Sequence, residues 1–460
     1  MLNSFEGSGA PAGIAGYKVE DYIQIIRHYL DKRKLDKAER AVEDALQHFQ
    51  YEAKLYALKA EILRKSGELD ASLEMIEEAI CISPLETQYT FDKALILSEL
   101  EEHDEAMSIL NIIRPYLTGR EMYFYHLCLS RVFEAQNEYG QMFNSLEEAL
   151  RFNPESEEAL ELMWSCVTMG RLHERSVRFH KKFLDKYPYS YLAWYNLGHA
   201  YSSLNMYELA IDTMEYSFLI NEEFENGYMD CAEICQQVGM YQKAMEIYME
   251  AYELFGPDAE LNVLMAESLL KLGAYDKAKK YLLEAIYFDS YNDEAYYQLG
   301  LTYLAKRNWV AAEHAFDKAI GIEDQREEFY CGMAEAHMHQ GRLDEAEENL
   351  QTAIELGPDN ARFWLLMCQL RMNQGLYEEV LQTLEEAEEN SESQEFDYYR
   401  AAALFHMQRK KEALVVLESA LREGFAAHGK LFEISPALQN DSDVLSIIHY
   451  FEGEPSNAQY

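Results

Sequence analysis

Four groups of residues have types and spacings that could do chemistry. Gly7, Gly9 and Gly13 in the segment EGSGAPAG are candidates to cradle a pyrophosphate, which needs a G-x-G-x-x-G turn between a strand and a helix. Their spacing differs from that turn and no strand precedes them, so no dinucleotide site is expected. His173 beside Glu174 suggests a zinc protease motif, but that motif needs a second histidine one helical turn on, and the next is His180. Cys231 and Cys235 share one helix face, as a redox pair or half a metal site would. His337 and His339 are the remaining metal candidates. No phosphate-binding loop with a terminal G-K-S/T and no nucleophile elbow occurs.

Composition narrows the partners. The 460 residues include 40 basic and 82 acidic side chains, a net charge of −42. Nucleic-acid affinity comes largely from Lys and Arg displacing counterions, and anionic membrane surfaces select the same groups. No nucleic-acid partner is expected. The charge either keeps the protein soluble or attracts a basic partner, and solubility is the favoured account. No apolar run is long enough to span a bilayer, so no membrane insertion is expected, and the first 18 residues lack the basic and apolar regions of a signal peptide. Seven scattered cysteines, odd in number, suggest free thiols in a reducing cytoplasm.

Nine prolines are few for an all-β chain, while Leu, Ala, Glu, Met and Tyr recur at helical spacing. Within WYNLGHAYSSLNMYELAIDTME, Ala210 has counterparts at Ala38, Ser72, Ala106, Met142, Ser176, Ala244, Ala278, Ala312, Ala346 and Val380. Each step is 34 residues except one of 36 before Met142, and Ala413 or Leu414 closes the series. Such a period marks a repeat architecture. Glycines punctuate mid-repeat at Gly67, Gly239, Gly273, Gly341 and Gly375, and prolines near repeat ends at Pro84, Pro154, Pro188, Pro257 and Pro358. The physical reading is a helix capped by a left-handed turn, a second helix, and a stop. Gly198 and Ala210 let the two helices cross closely while Leu197, Tyr201 and Met214 fill the crossing. Each helix is about 14 residues, marginal alone, so neighbouring hairpins must stack.

This pattern resembles the tetratricopeptide repeat family, with Trp194, Leu197, Gly198, Tyr201, Ala210 and Ser217 on its signature positions. The resemblance covers residues 19–428 as twelve repeats, starting near 19, 53, 87, 123, 157, 191, 225, 259, 293, 327, 361 and 395. It implies an all-α fold, a right-handed α-solenoid of antiparallel helix pairs. A flexible segment is expected at 1–18 and a flexible tail at 452–460. Residues 429–451 read as a C-terminal capping helix with Leu445, Ile448 and Phe451 on one stripe. The first helix lacks such a cap and carries Ile23, Ile25 and Ile26. It is a candidate homodimer face, with a tolerated exposed edge as the favoured account. In this register Cys231 and Cys235 fall on core positions and His337 takes the place of core Tyr201, leaving His339 alone. No metal, cofactor or catalytic residue is therefore expected.

The resemblance further implies a concave groove lined by the first helix of each repeat. Mapped here it presents Tyr195, His199, Met229, Glu233, Val263, Glu267, Tyr297, Cys331 and Glu335. That set is aromatic, apolar and acidic, suited to an apolar or basic peptide or protein segment. The family's clamp for carboxylate tails needs basic and amide groups, whereas here Asn196 is followed by Asp230 and Glu233. That role is not expected. A second surface is the basic stretch MGRLHERSVRFHKKFLDKYP, where Arg171, Arg175, Arg178 and Lys182 fall on one helical face opposite Ser176, His180 and Phe183. It reads as a docking face for an acidic or phosphate-bearing partner, or as a solvated face pairing with Glu147, Glu148 and Asp212. The solvated reading is favoured. The same repeat puts Trp164 at the small-residue position, which should spread its helices, and Gly170 one residue early. The expected function is a non-catalytic protein-interaction scaffold. The alternatives are a self-assembling solenoid and a metal-dependent or redox enzyme.

Overall fold

A computed structural model describes residues 18–452, so the segments expected to be flexible lie outside the described residues but for Lys18 and Glu452. Within these residues are 26 α-helices and no strand. The chain falls into two compact units, Met1–Ile234 and Cys235–Tyr460. In the first, α1 (Val19–Asp31) pairs with α2 (Leu35–His48), α3 (Ala53–Ser66) with α4 (Leu69–Ile82), and α5 (Thr87–Glu99) with α6 (His103–Ile113). Then come α7 (Arg120–Ala135) and α8 (Tyr139–Phe152), α9 (Glu157–Gly170) and α10 (His173–Leu184), and α11 (Tyr191–Ser203) and α12 (Tyr207–Ile220). The division falls near the end of α13 (Glu225–Gln237).

The second unit continues with α14 (Tyr241–Phe255), α15 (Ala259–Lys271), α16 (Tyr275–Phe288), α17 (Asp293–Ala305) and α18 (Trp309–Ile322). It goes on through α19 (Glu327–Gln340), α20 (Leu343–Leu356), α21 (Ala361–Gln374), α22 (Tyr377–Asn390), α23 (Glu395–His406) and α24 (Lys410–Gly424). Two short helices, α25 (Gly429–Ile434) and α26 (Ser442–Glu452), complete it. First helices begin at the anticipated repeat starts with one exception. The fourth begins at Arg120 rather than 123, because the two-residue insertion folds into a 3-10 turn at Arg114–Tyr116 and Gly119, at φ 52°, redirects the chain.

Residues at the repeating small position, Ala38 through Ala413, are at most 1% exposed. Ala413 is buried and Leu414 only half-buried, so Ala413 closes the series. At Gly198 an added Cβ would lie 2.4 Å from Met214 Cγ and 3.3 Å from the Ala210 carbonyl oxygen. The crossing is therefore as close as the small residues suggested. Each hairpin turn holds one residue in the left-handed region. Glycine stands there in five hairpins, and Arg33, Glu101, Asn137, Arg171, Asn205, Arg307 and Gln408 in the others. Seven repeats thus accept a conformation that costs a non-glycine residue about 1–2 kcal/mol, because the turn geometry is set by the packed helices on either side.

The fifth hairpin departs from expectation in its cap and in the outward placement of Trp164, while its helices are spread as expected. Gly170 is not an early cap: α9 runs through it and Arg171 takes the left-handed position at φ 52°. Glycine is needed because a Cβ there would sit 2.6 Å from Tyr139 Cβ. Trp164 does not wedge into the crossing but turns outward, 42% exposed, and α9 meets α10 over a short stretch only.

At the C-terminal end the expected single capping helix is two helices joined by a 3-10 turn at Pro436–Asn440. Leu431, Leu438, Val444 and Ile448 are buried against Leu417 and Leu421 of α24, with Ile447 and Phe451 beside them. Leu445 lies off this stripe and is half-buried, because α26 starts at Ser442 and turns Val444 inward. Lys410 Nζ holds the junction through Asp441 at 2.7 Å and Asp443 at 2.8 Å. At the other end Ile25 and Ile26 pack into the core with Val42 and Ala45, leaving Ile23 partly buried.

Two measurements check this packing. Gly198→Val is expected to destabilise the first unit by about 1–3 kcal/mol, read as a lower denaturant midpoint, since Met214 fills the space a Cβ needs. His180 is fully buried, its Nδ1 3.0 Å from the Ser176 carbonyl oxygen and its Nε2 without a partner. Burial pushes its pKa down to about 4 against that hydrogen bond. A histidine kept neutral by the fold contributes stability above about pH 6.5 that is lost as pH falls toward 4. The thermal midpoint should fall across that window, and less steeply in His180→Met; an unchanged slope would assign the effect to other groups.

Candidate functional site

Tyr195 and His199 stand one helical turn apart on α11, so both project from one face. Leu192, Ala193, Leu197, Ala200 and Tyr201 fill the other faces of α11 and are buried. That leaves Tyr195 and His199 half-buried, directed at the next first helix, α13. There Asp230 receives both: the Tyr195 hydroxyl donates to Oδ2, and His199 Nε2 lies 2.9 Å from the same oxygen. The Tyr195 ring meets His199 edge-to-face at 4.4 Å and Phe224 at 4.9 Å. Trp164 meets His199 edge-to-face at 6.0 Å.

Electrostatics keep this arrangement in one protonation state at the tyrosine. Burial first, then the hydrogen bond to Asp230 and the charges of Asp230 and Glu233, push the Tyr195 hydroxyl well above its ordinary pKa. It remains a donor across physiological pH. Both contacts end on the same oxygen, Oδ2. Among the described residues no Lys or Arg forms an ion pair with Asp230. Glu161 and Glu233 are exposed nearby on α9 and α13, and Met229 is half-buried beside them. The chemistry on offer is recognition of a positive charge beside an apolar group, on rings already held in place.

The remaining groove candidates behave differently. In the second unit Val263, 6% exposed, and Cys331, 1% exposed, are core residues, so the groove reading is corrected for both: they pack against neighbouring repeats. Tyr297 lies against Phe329 at 5.1 Å with its hydroxyl pushed up to about 12, chiefly by burial. Glu335 is paired with Arg362 at 2.5 Å, and Arg326 binds Glu294 at 2.7 Å. Glu267 has its carboxyl pushed up by burial and by Glu294. These acids are neutralised or part-desolvated in place, unlike Asp230.

The basic stretch is also rearranged. Arg171 belongs to the turn, so it does not share the α10 face, and that assignment is corrected. Arg175 is anchored on α8: Nη1 donates to the Gly140 carbonyl at 3.2 Å, Nη2 to Asn144 Oδ1 at 2.5 Å, and Glu147 lies 3.7 Å away. Arg178 is 3.8 Å from Glu174. Lys182 is exposed.

Cys231 and Cys235 are each fully buried, and burial pushes the Cys166, Cys331 and Cys368 thiols up to about 12. His337 is buried 3.4 Å from Glu313, and His339 stacks on Trp309 at 4.2 Å. Among the described residues no cluster of three His, Cys, Asp or Glu could hold a metal ion, and no helix is long and apolar enough to cross a membrane. Sequence reasoning missed Asp230 and Phe224 as site members. Asp230 stood only as an obstacle to a carboxylate clamp, yet its place one repeat beyond Tyr195 was a usable signal.

Family models described as tetratricopeptide repeat match residues 23–86, 191–223, 263–327, 303–370 and 337–390. No curated protein matches the sequence. Solved structures similar to this chain include the yeast Tom70 crystal structure, at 15% identity over 95% of this chain and 100% of that one, TM-score 0.44. The Cut9–Hcn1 hetero-tetramer of the APC/C is similar at 12% identity over 98% and 92%, TM-score 0.40. YrrB, titled a TPR protein with an unusual peptide-binding site, is similar at 18% identity over 40% and 95%, TM-score 0.34.

Removing the hydroxyl in Tyr195→Phe leaves Asp230 held by His199 alone. The expected cost is about 1 kcal/mol, read as a lower denaturant midpoint that Asp230→Asn combined with Tyr195→Phe does not lower by the sum of the two. Additive losses would show that the two groups are not coupled.

Proposed function

We propose that this chain, which belongs to the tetratricopeptide-repeat family, holds a partner segment at Tyr195, His199 and Asp230 through a basic side chain flanked by an apolar one. Proteins of the family are in general non-catalytic scaffolds for protein–protein interaction. The observation that carries the finer reading is the Asp230 carboxylate, held by the Tyr195 hydroxyl and the His199 imidazole and paired with no Lys or Arg among the described residues. A carboxylate fixed in this way meets a guanidinium or ammonium with little reordering. The half-buried rings of Tyr195 and Phe224 and the exposed face of Trp164 supply contact area for the neighbouring apolar group.

A protein or peptide is the partner class that fits. A net charge of −42 opposes nucleic acid, and the same charge draws a basic segment in at long range. The buried free cysteines Cys128, Cys166, Cys331 and Cys368 fit a reducing compartment such as the cytoplasm.

The test titrates the full chain with fluorescein-labelled peptides that carry one Arg between Leu and Tyr, against the same peptides with Gln for Arg. Wild type should prefer the Arg peptides. Asp230→Asn should lose about tenfold in affinity, of the size of one charge-assisted hydrogen bond, measured at a temperature where the variant is fully folded. Equal affinity of wild type and Asp230→Asn for the Arg peptides would sink the assignment.

A further inference from the structure

The composition is strongly acidic, but the surface between α8 and α10 reverses it. Between α8 and α10 lies an open cavity of about 520 Å³. Its rim carries Arg151, Arg175, Arg178, Lys182 and Lys186 against the single carboxylate of Glu147. Its floor is aromatic. Phe143 meets Phe179 edge-to-face at 5.7 Å, Phe179 meets Phe183 at 5.5 Å, and Phe183 meets Tyr187 at 4.9 Å. Phe143 and Phe183 are buried and belong to the fold. Phe179 is half-buried and Tyr187 is 40% exposed, so these two rings offer edges to the cavity.

We propose that this cavity docks a short acidic peptide segment bearing one aromatic or bulky apolar side chain, at a site separate from Asp230. Charge complementarity carries the proposal. The fold uses some of the cations: Arg175 is held by Gly140, Asn144 and the Phe143 face, 4.1 Å from the ring centroid, and Arg151 pairs with Glu148 at 2.6 Å. Arg178 has only a 3.8 Å approach to Glu174. Lys182 and Lys186 are exposed on the same rim and form no ion pair among the described residues. Packing does not require those three, and exposed pairs contribute little to stability, so intramolecular pairing does not account for them.

The pinned guanidinium of Arg175 is a preorganised donor at one end of the cavity. The exposed Lys182 and Lys186 follow two to three helical turns further along the chain, and Phe179 and Phe183 fall between Arg175 and Lys186 in the same stretch. An acid–aromatic–acid order along a peptide matches that sequence of features. A peptide fits better than nucleic acid for a reason of scale. Screening confines each charge to about 8–10 Å. A segment of a few residues keeps its acids over this rim, whereas a longer polyanion would run onto a surface of opposite preference, given the net charge of −42.

The test uses the full chain and a fluorescein-labelled peptide of sequence Asp-Glu-Trp-Glu-Asp, followed by fluorescence anisotropy. A lysine-substituted version of the peptide and an oligothymidylate of matching charge serve as comparison probes. The acidic peptide should bind saturably and more weakly as salt rises. Lys182→Glu/Lys186→Glu should weaken it at least about tenfold with an unchanged thermal midpoint, and Asp230→Asn should leave it unaltered. The proposal is overturned if the acidic peptide fails to bind, if oligothymidylate binds as well as the peptide, or if the double variant binds like wild type. Loss in Asp230→Asn as well would place the peptide at the other site and also overturn it.

Discussion

Two helices must come within touching distance at one small residue in every hairpin, and the rest of the molecule depends on that approach. Ala210 meets Gly198 with Met214 filling the remaining gap, and the equivalent small residues are buried throughout. Bulk at this place would separate the helices and leave each of them, about 14 residues long, near the limit of independent stability. The requirement recurs every 34 residues because that is the chain length needed for two such helices and two turns. It also explains why seven hairpins tolerate a non-glycine residue in a left-handed turn: the packed helices over-determine the turn between them.

A hairpin that relaxes this constraint lies between the two candidate sites. Trp164 replaces the small residue and turns outward, so α9 and α10 meet only briefly. On one side Trp164 becomes the outer wall of the Asp230 site, edge-on to His199. On the other side α10 carries Arg178, Lys182 and Phe179 toward the cavity it shares with α8. A departure from the repeat rule that is unfavourable for packing thus coincides with the surfaces whose charge and aromatic content the core does not need.

Charge acquires meaning only from what neutralises it. Glu294 and Glu335 each have an arginine partner, which leaves little net field for a ligand to feel. Asp230 has instead a phenol and an imidazole, which orient the carboxylate. The basic cavity is the converse case, with cations in excess of the acids that face them. Neither property follows from a net charge of −42, since that sum is blind to pairing.

The sequence alone determined the helical class, the period, the places where helices begin and the identity of the buried small residues, because each of these depends on neighbours close in the chain or one repeat away. It also excluded the phosphate-loop and zinc-motif readings, which need fixed local spacings. What it misjudged turned on three-dimensional placement. Arg171 belongs to a turn because the helix ends one residue later than the glycine pattern implied. Val263 and Cys331 face inward because adjacent repeats cover them, and Leu445 leaves the buried stripe because α26 starts at Ser442. Asp230 becomes a site only when α13 is laid against α11 so that Tyr195 and His199 reach one oxygen. Periodicity says which face of a helix turns inward. Only the packed neighbour decides which side chains on the other face meet a partner, and which are left with charge to offer.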